Sequence, residues 1–304
     1  MKEYEVKIPS KCDGLLLSCY IVEPDKIKGI FQIAHGMAEP KERYLDFMRF
    51  LAASGYLCII NDHRGHGKSV KSESDLGYFY DPSCTYIVED IHDIGQYYKN
   101  KYKVPLTLFG HSMGALVVRE VLKKYDTDIN QLIVCGSPSQ NSATKLAILL
   151  TKTMILMKGD HYKSNTINGM ALGGYQKRFN EDVENTWLSY NRQNVFDYNA
   201  SKYCGFTFTL NGFLNLFTMM DDVYNPKGWV LKHKQIPIYF IAGEDDPCID
   251  NEKKWKESMD FLKDLGYKNI TYTMYHHMRH EILQEDEHMN VYEDVLKFIE
   301  EQKK

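Results

Sequence analysis

Leu106-Thr107-Leu108-Phe109-Gly110-His111-Ser112-Met113-Gly114-Ala115-Leu116-Val117-Val118 decides the fold. A short apolar run of strand length leads into Gly-x-Ser-x-Gly, and an amphipathic run predicts a helix from Ser112 to Tyr125. A serine on such a strand-to-helix turn is held in a strained conformation that lifts its hydroxyl clear of the chain. Glycines on either side let neighbouring segments approach closely, and the helix amino terminus favours developing negative charge. Ser112 is therefore the candidate nucleophile.

Outward from this turn the same alternation repeats. Towards the amino terminus, Tyr4 to Ile8 and Leu15 to Val22 flank Cys12-Asp13-Gly14 as an opening hairpin. Gly29 to Ala34 and Tyr56 to Ile60 read as buried strands joined by a helix over Arg43 to Ser54, and a second helix covers Thr85 to Tyr102. Towards the carboxyl terminus, Leu132 to Cys135 is a strand, after which the alternation stops. It resumes with strand Ile238 to Ala242, helix Asn251 to Leu265, strand Ile270 to Tyr275 and a helix from Val291 to Glu300. These are eight strands feeding helices, which predicts an α/β protein with a mostly parallel sheet flanked by helices. The interruption, residues 139–227, is read as a helical cap inserted after the sixth strand, and residues 1–138 and 228–304 as the core. Such a cap would lie over the carboxyl edge of the sheet, where open α/β sheets bind ligands.

A serine hydroxyl is a weak nucleophile near neutral pH and needs a base, itself oriented by a carboxylate. On an elbow of this kind the acid and then the histidine follow the serine in the chain. The loop Gly243-Glu244-Asp245-Asp246-Pro247 after one strand offers three acids, and His276-His277-Met278-Arg279-His280-Glu281 after the next offers three histidines. The oxyanion needs two backbone N–H donors, and Met113, after the serine, and Met37, in His35-Gly36-Met37-Ala38-Glu39, fill those positions. His276-His277 has no matching Asp/Cys cluster, so neither a metal nor a cofactor is expected.

Composition narrows the partners. The chain has 304 residues, 43% hydrophobic and 26% charged, enough for a sizeable core. With a net charge of -4 and no basic run interleaved with aromatics, nucleic acid is not an expected partner. Seven cysteines without C-x-x-C spacing suit a reduced, cytoplasmic compartment. Neither an export signal nor an apolar run of membrane-spanning length is read in the sequence.

Four ordered signatures carry a resemblance over nearly the whole chain: His35-Gly36-Met37-Ala38-Glu39; Asp62-His63-Arg64-Gly65-His66-Gly67-Lys68-Ser69; Gly110-His111-Ser112-Met113-Gly114; and Gly243-Glu244-Asp245-Asp246-Pro247 followed by Arg279-His280-Glu281. The chain resembles the monoacylglycerol lipase and lysophospholipase branch of the α/β-hydrolase superfamily, grouped with serine aminopeptidase-like hydrolases. That resemblance implies an α/β-hydrolase fold and a triad of Ser112, Asp246 and His280, and gives His63 and His66 a supporting role. It also implies a variable cap that shapes an acyl pocket.

Within the inserted segment, Leu146, Leu149-Leu150, Met154 and Met157 share one helical face, as do Phe213, Leu216-Phe217 and Met220. These stripes either pack the cap onto the core or line an acyl pocket, for which Leu149, Met157, Phe213 and Phe217 are the expected lining, or touch a membrane surface. The expected substrate is a small-molecule acyl ester, a monoglyceride or lysophospholipid. An aminopeptidase or thioesterase using the same triad is the alternative, with Glu39 or Glu181 available to bind an amine. A slow, ligand-binding protein of the same fold is a third reading. Oligomeric state is not legible.

Overall fold

A computed structural model describes residues 1–179 and 181–301. In chain order the regular elements are β1 (Lys2–Pro9), β2 (Leu16–Glu23), β3 (Gly29–Ala34), α1 (Leu45–Ala53), β4 (Tyr56–Asn61), α2 (Tyr86–Tyr102), β5 (Leu106–His111), α3 (Met113–Tyr125) and β6 (Gln131–Cys135). Four helices follow, α4 (Thr144–Lys158), α5 (Asn165–Leu172), α6 (Arg192–Ala200) and α7 (Leu210–Asp222), before β7 (Ile238–Gly243), α8 (Glu252–Leu265), β8 (Ile270–Tyr275) and α9 (His288–Glu301). The eight strands form one sheet in the order β1-β2-β4-β3-β5-β6-β7-β8. β1 to β2 and β2 to β4 are antiparallel, and all the other pairings are parallel. The expected eight-stranded, mostly parallel sheet is thus formed, and its strand limits differ from the sequence reading by a residue or two.

The central strands β3, β4, β5, β6 and β7 are buried at every residue. Burial on both faces is what turns a strand into a continuous apolar run rather than an alternating one. Alternate residues face two separate cores. Ile30, Leu108, Leu132 and Phe240 pack with α2, α3 and α8 through Ile91, Val117 and Trp255. Phe31, Phe109, Ile133 and Ile241 pack with α1 and α9 through Phe47, Met48, Val291 and Val295.

The segment between β6 and β7 holds four α-helices where the sequence reading found two apolar helical stretches. α5 and α6 were obscured because polar residues begin and fill them, and their amino termini are fixed by Ser164 and Asn191 side chains that accept from the amides of Ile167 and Asn194. α4 lies against α7. Its buried residues are Thr144, Ala147 and Thr151, with Ile148, Met154 and Ile155 partly buried against the core beside them. Leu146, Leu149, Leu156 and Met157 turn outward and are 56%, 62%, 88% and 71% exposed. Among the described residues no helix is long and apolar enough to cross a membrane.

Candidate active site

Ser112 sits between β5 and α3 with φ 55° and ψ -118°, a region that L-residues other than glycine rarely occupy. Its backbone is held there by its amide donating to the Cys135 carbonyl at 2.9 Å. The flanking glycines are steric necessities. A Cβ at Gly110 would lie 2.2 Å from the Gly114 carbonyl oxygen, and one at Gly114 would lie 2.0 Å from that of Ala34. The side chain is half-buried and faces a cavity of about 570 Å³.

Asp246 and His280 come from the loops after β7 and β8, and His280 lines the same cavity. His280 Nδ1 donates to Asp246 Oδ1 at 2.9 Å, and that oxygen also accepts from the Cys248 amide at 2.8 Å. Both side chains are buried, and Asp246 Oδ2 has no hydrogen-bond partner among the described residues. The His280 ring lies between His111 and Trp187, with ring centres 4.6 and 5.2 Å away. Its Nε2 faces Cys248 Sγ at 3.8 Å. Ser112, Tyr175 and Cys248 line the same cavity. Burial, together with the neighbouring Asp246 charge, pushes the Cys248 thiol well above its usual range.

The competing residues of the two loops lie elsewhere. Glu244 and His276 are exposed and pair with each other. The Asp245 carboxylate accepts from the Tyr190 hydroxyl at 2.8 Å, and His277 stacks on the Tyr190 ring. Of the three acids and three histidines, Asp246 and His280 are the pair that is buried together, and His280 is the histidine of this loop that lines the cavity Ser112 faces.

The loop after β3 is pinned from several sides. Glu39 Oε1 accepts from the Gly36 amide at 2.6 Å and from the Tyr44 hydroxyl at 2.8 Å. The Ala38 amide donates to His66 Nε2 at 3.1 Å. His35, His63 and His66 pack tilted and edge-on as a fully buried group, and all their ring nitrogens except His63 Nδ1 bond backbone groups of the same loops. Burial holds all three below the usual histidine range, His66 at about 4, so they stay neutral and structural. This is the supporting place expected for His63 and His66. The amides of Met37 and Met113 have no acceptor among the described residues, and Met113 as the first residue of α3 has none within its helix.

A buried charge network underlies this loop, and the sequence reading did not find it. Arg43 makes a two-pronged contact with Glu281, 2.6 Å on each arm, and reaches Glu39 at 3.3 Å. His111 Nε2 donates to the His280 carbonyl at 3.1 Å, while its Nδ1 lies 3.0 Å from the Tyr44 oxygen and 3.5 Å from Glu39. Because a carbonyl only accepts, His111 Nε2 carries hydrogen. Burial opposes a charged His111, but the Glu39 carboxylate overrides it and raises the His111 pKa. Burial likewise opposes ionisation of Glu39, yet His111, Arg43 and Tyr44 bring it down to about 2. The only trace in sequence was the spacing of Glu39 and Arg43, which four residues of loop and short 3-10 turn would not have made informative.

The expected pocket lining needs correction. Phe217 lines the cavity, together with Leu216, Met220 and Ala147. Phe213 is fully buried and stacks behind Phe217, with ring centres 5.8 Å apart, so it supports the wall without forming it. Leu149 and Met157 are outside the cavity altogether, because they lie on the outward side of α4. Met170 and Trp187 take places on the wall that no periodic pattern marked.

The family model described as serine aminopeptidase, S33, a hydrolase family, matches residues 25–287. The chain belongs to that family. It is 25% identical over 299 residues to the probable lysophospholipase L2 of Haemophilus influenzae, covering 92% of this chain and 85% of that one. It is 29% identical over 116 residues to a monoacylglycerol lipase of Mycolicibacterium smegmatis, 38% of this chain and 39% of the relative. Among solved structures it superposes on a thermostable carboxyl esterase from Bacillus coagulans with a TM-score of 0.89 and 24% identity, covering 99% of this chain and 98% of the other. The architecture is the α/β-hydrolase fold.

Proposed function

We propose that this chain is a serine carboxylic-ester hydrolase in which Ser112, His280 and Asp246 form the triad and the Met37 and Met113 amides form the oxyanion hole. The observation that carries the reading is the buried Asp246–His280 pair at 2.9 Å, presented beside a strained, half-buried serine at a partly apolar cavity. Ser112 and His280 line the same cavity, which places the hydroxyl and the base on one side of a bound ester. Ser112 then attacks the ester carbonyl as His280 takes its proton, and Asp246 holds the resulting imidazolium. The two amides stabilise the oxyanion, the alcohol leaves with the proton from His280, and water removes the acyl group by the same route.

Residues 139–227 act as a cap over a core of residues 1–138 and 228–304. Leu216, Phe217 and Met220 supply an acyl-binding wall, which together with the likeness to lipases and lysophospholipases favours a monoglyceride or lysophospholipid substrate. The outward Leu146, Leu149, Leu156 and Met157, flanked by Lys145, Lys152 and Lys158, suit transient contact with a membrane surface, where apolar burial and attraction to anionic lipid act together.

The amide-cleaving alternative needs a free carboxylate to bind an amine. Glu39 is neutralised by Arg43 and His111, and Glu181 pairs with Arg279 and Arg192 at 2.6 and 2.7 Å. Neither is available. Assays on p-nitrophenyl esters of increasing length, monoacylglycerols and aminoacyl-anilides decide: esters of medium or long acyl chains are expected to be preferred, and preference for anilides refutes the proposal. A fluorophosphonate adduct on wild type that disappears in Ser112→Ala is expected too.

A further inference from the structure

We infer that Cys248 and His280, oriented by Asp246, form a binding site for a borderline-soft divalent cation of the zinc class, and that occupation of this site switches the enzyme off. The effect on turnover rests on the triad proposed above; the binding itself does not.

The geometry is that of a metal site before the ion arrives. One ligand atom each from Asp246, Cys248 and His280 lies within 4.8 Å of the others, and all three residues are buried. With Zn–S of about 2.3 Å, Zn–N of about 2.0 Å and a tetrahedral angle, a sulfur and a nitrogen on one zinc are about 3.5 Å apart. Cys248 Sγ and His280 Nε2 are 3.8 Å apart, a difference of a few tenths of an ångström. His280 uses its other nitrogen to donate to Asp246, the arrangement that fixes the tautomer and ring orientation of metal-binding histidines. Ser112, half-buried, lines the same cavity, which leaves room for water to complete the coordination.

Charge favours the same reading. Asp246 is 2% exposed and its Oδ2 has no hydrogen-bond partner, an anion whose neutralisation the fold leaves incomplete. On binding, the Cys248 thiol loses its proton to solvent as the S–Zn bond forms. Two unit negative charges, the thiolate and the Asp246 carboxylate, then balance the dication, so no net charge is buried. The ion occupies the Nε2 lone pair that would otherwise take the Ser112 proton. Access is through the cavity, which both Cys248 and His280 line.

Two measurements test this. In the first, Co2+ is titrated into wild type and into Ser112→Ala; a thiolate-to-cobalt charge-transfer band is expected in both and is expected to vanish in Cys248→Ala. In the second, p-nitrophenyl ester hydrolysis is followed against buffered free Zn2+. Inhibition reversed by chelator is expected, with the half-inhibitory concentration rising about tenfold or more in Cys248→Ala and in Cys248→Ser, since even loss of an outer partner costs that much. Mg2+ and Ca2+, which prefer oxygen ligands, should leave the rate unchanged. A missing band in wild type, a band that survives Cys248→Ala, or equal zinc sensitivity in the variants overturns the inference. If wild type hydrolyses no ester, the hydrolase proposal fails while the cobalt band still decides the site.

Discussion

Gly136→Ala is the sharpest test of how the chain holds its candidate catalytic pair. Gly136 follows β6 at φ 54°, and a Cβ there would meet Asp246 Oδ2 at 3.0 Å, His280 Nδ1 at 3.2 Å and His280 Cε1 at 3.3 Å. Ordinary contact distances for carbon are about 3.5 Å or more, so the pair must retreat by roughly 0.3 to 0.5 Å. Retreat is difficult because the His280 ring is wedged between His111 and Trp187 and its backbone carbonyl is held by His111. A misplacement of about 1 Å costs roughly 100-fold in rate, so a shift of about half that size should lower kcat by roughly 10-fold, with KM little changed. The positive φ adds about 1 kcal/mol of destabilisation for any L-residue. Gly14→Ala separates the two effects: it carries the same backbone penalty at φ 76°, but nothing lies within 4 Å of the added carbon. Both variants should melt a few degrees lower, and only Gly136→Ala should lose turnover on a p-nitrophenyl ester. A folded Gly136→Ala with kcat within about twofold of wild type, or an equal loss in Gly14→Ala, would falsify the steric argument.

The buried charges and the exposed helix make three more predictions. Burial and the neighbouring Asp222 raise Glu120 from its ordinary 4.5 to about 8; a carboxyl raised on folding destabilises the folded state as pH climbs, so Glu120→Gln should gain stability from pH 4.5 to 8, by roughly 1.4 kcal/mol per unit at most. Urea melts at pH 5, 7 and 9 measure this, and a pH-independent difference contradicts it. Glu39, brought down to about 2, contributes stability that is present above its ordinary 4.5 and is lost as pH falls towards 2. Glu39→Gln should therefore cost roughly 3 kcal/mol at pH 7 and flatten the acid limb of the stability profile; an unchanged acid limb argues against the Glu39–His111–Arg43 pairing. Replacing Leu146 and Leu156, both outward on α4, with serine should reduce sedimentation with anionic vesicles while leaving hydrolysis of a soluble short-chain ester unchanged, and undiminished sedimentation removes α4 from the membrane contact.

What was legible in the sequence is what is local. The apolar strand, the Gly-x-Ser-x-Gly turn and the helix after it were readable because a strand, a tight turn and an amphipathic helix each impose their pattern on residues a few positions apart. The same holds for all eight strands and for the break after β6. The ordered signatures added the choice of Asp246 and His280 through resemblance, not through any property of those loops taken alone. The outcome for α4 was decided elsewhere: its sequence is apolar on more than one side, and packing against α7 and the core buries the side of Thr144, Ala147, Ile148 and Thr151. Leu149 and Met157 consequently left the pocket.

Tertiary structure alone brought Arg43 to Glu281, 238 residues away in the chain, placed the buried His111 beside Glu39, and set Cys248 against His280. No spacing rule reports such contacts, because they depend on where the sheet order and the loops after β3, β5, β7 and β8 bring distant side chains together. The sequence by itself determined that Ser112 stands on a strained turn between a strand and a helix; the fold decided which acid, which histidine and which sulfur surround it.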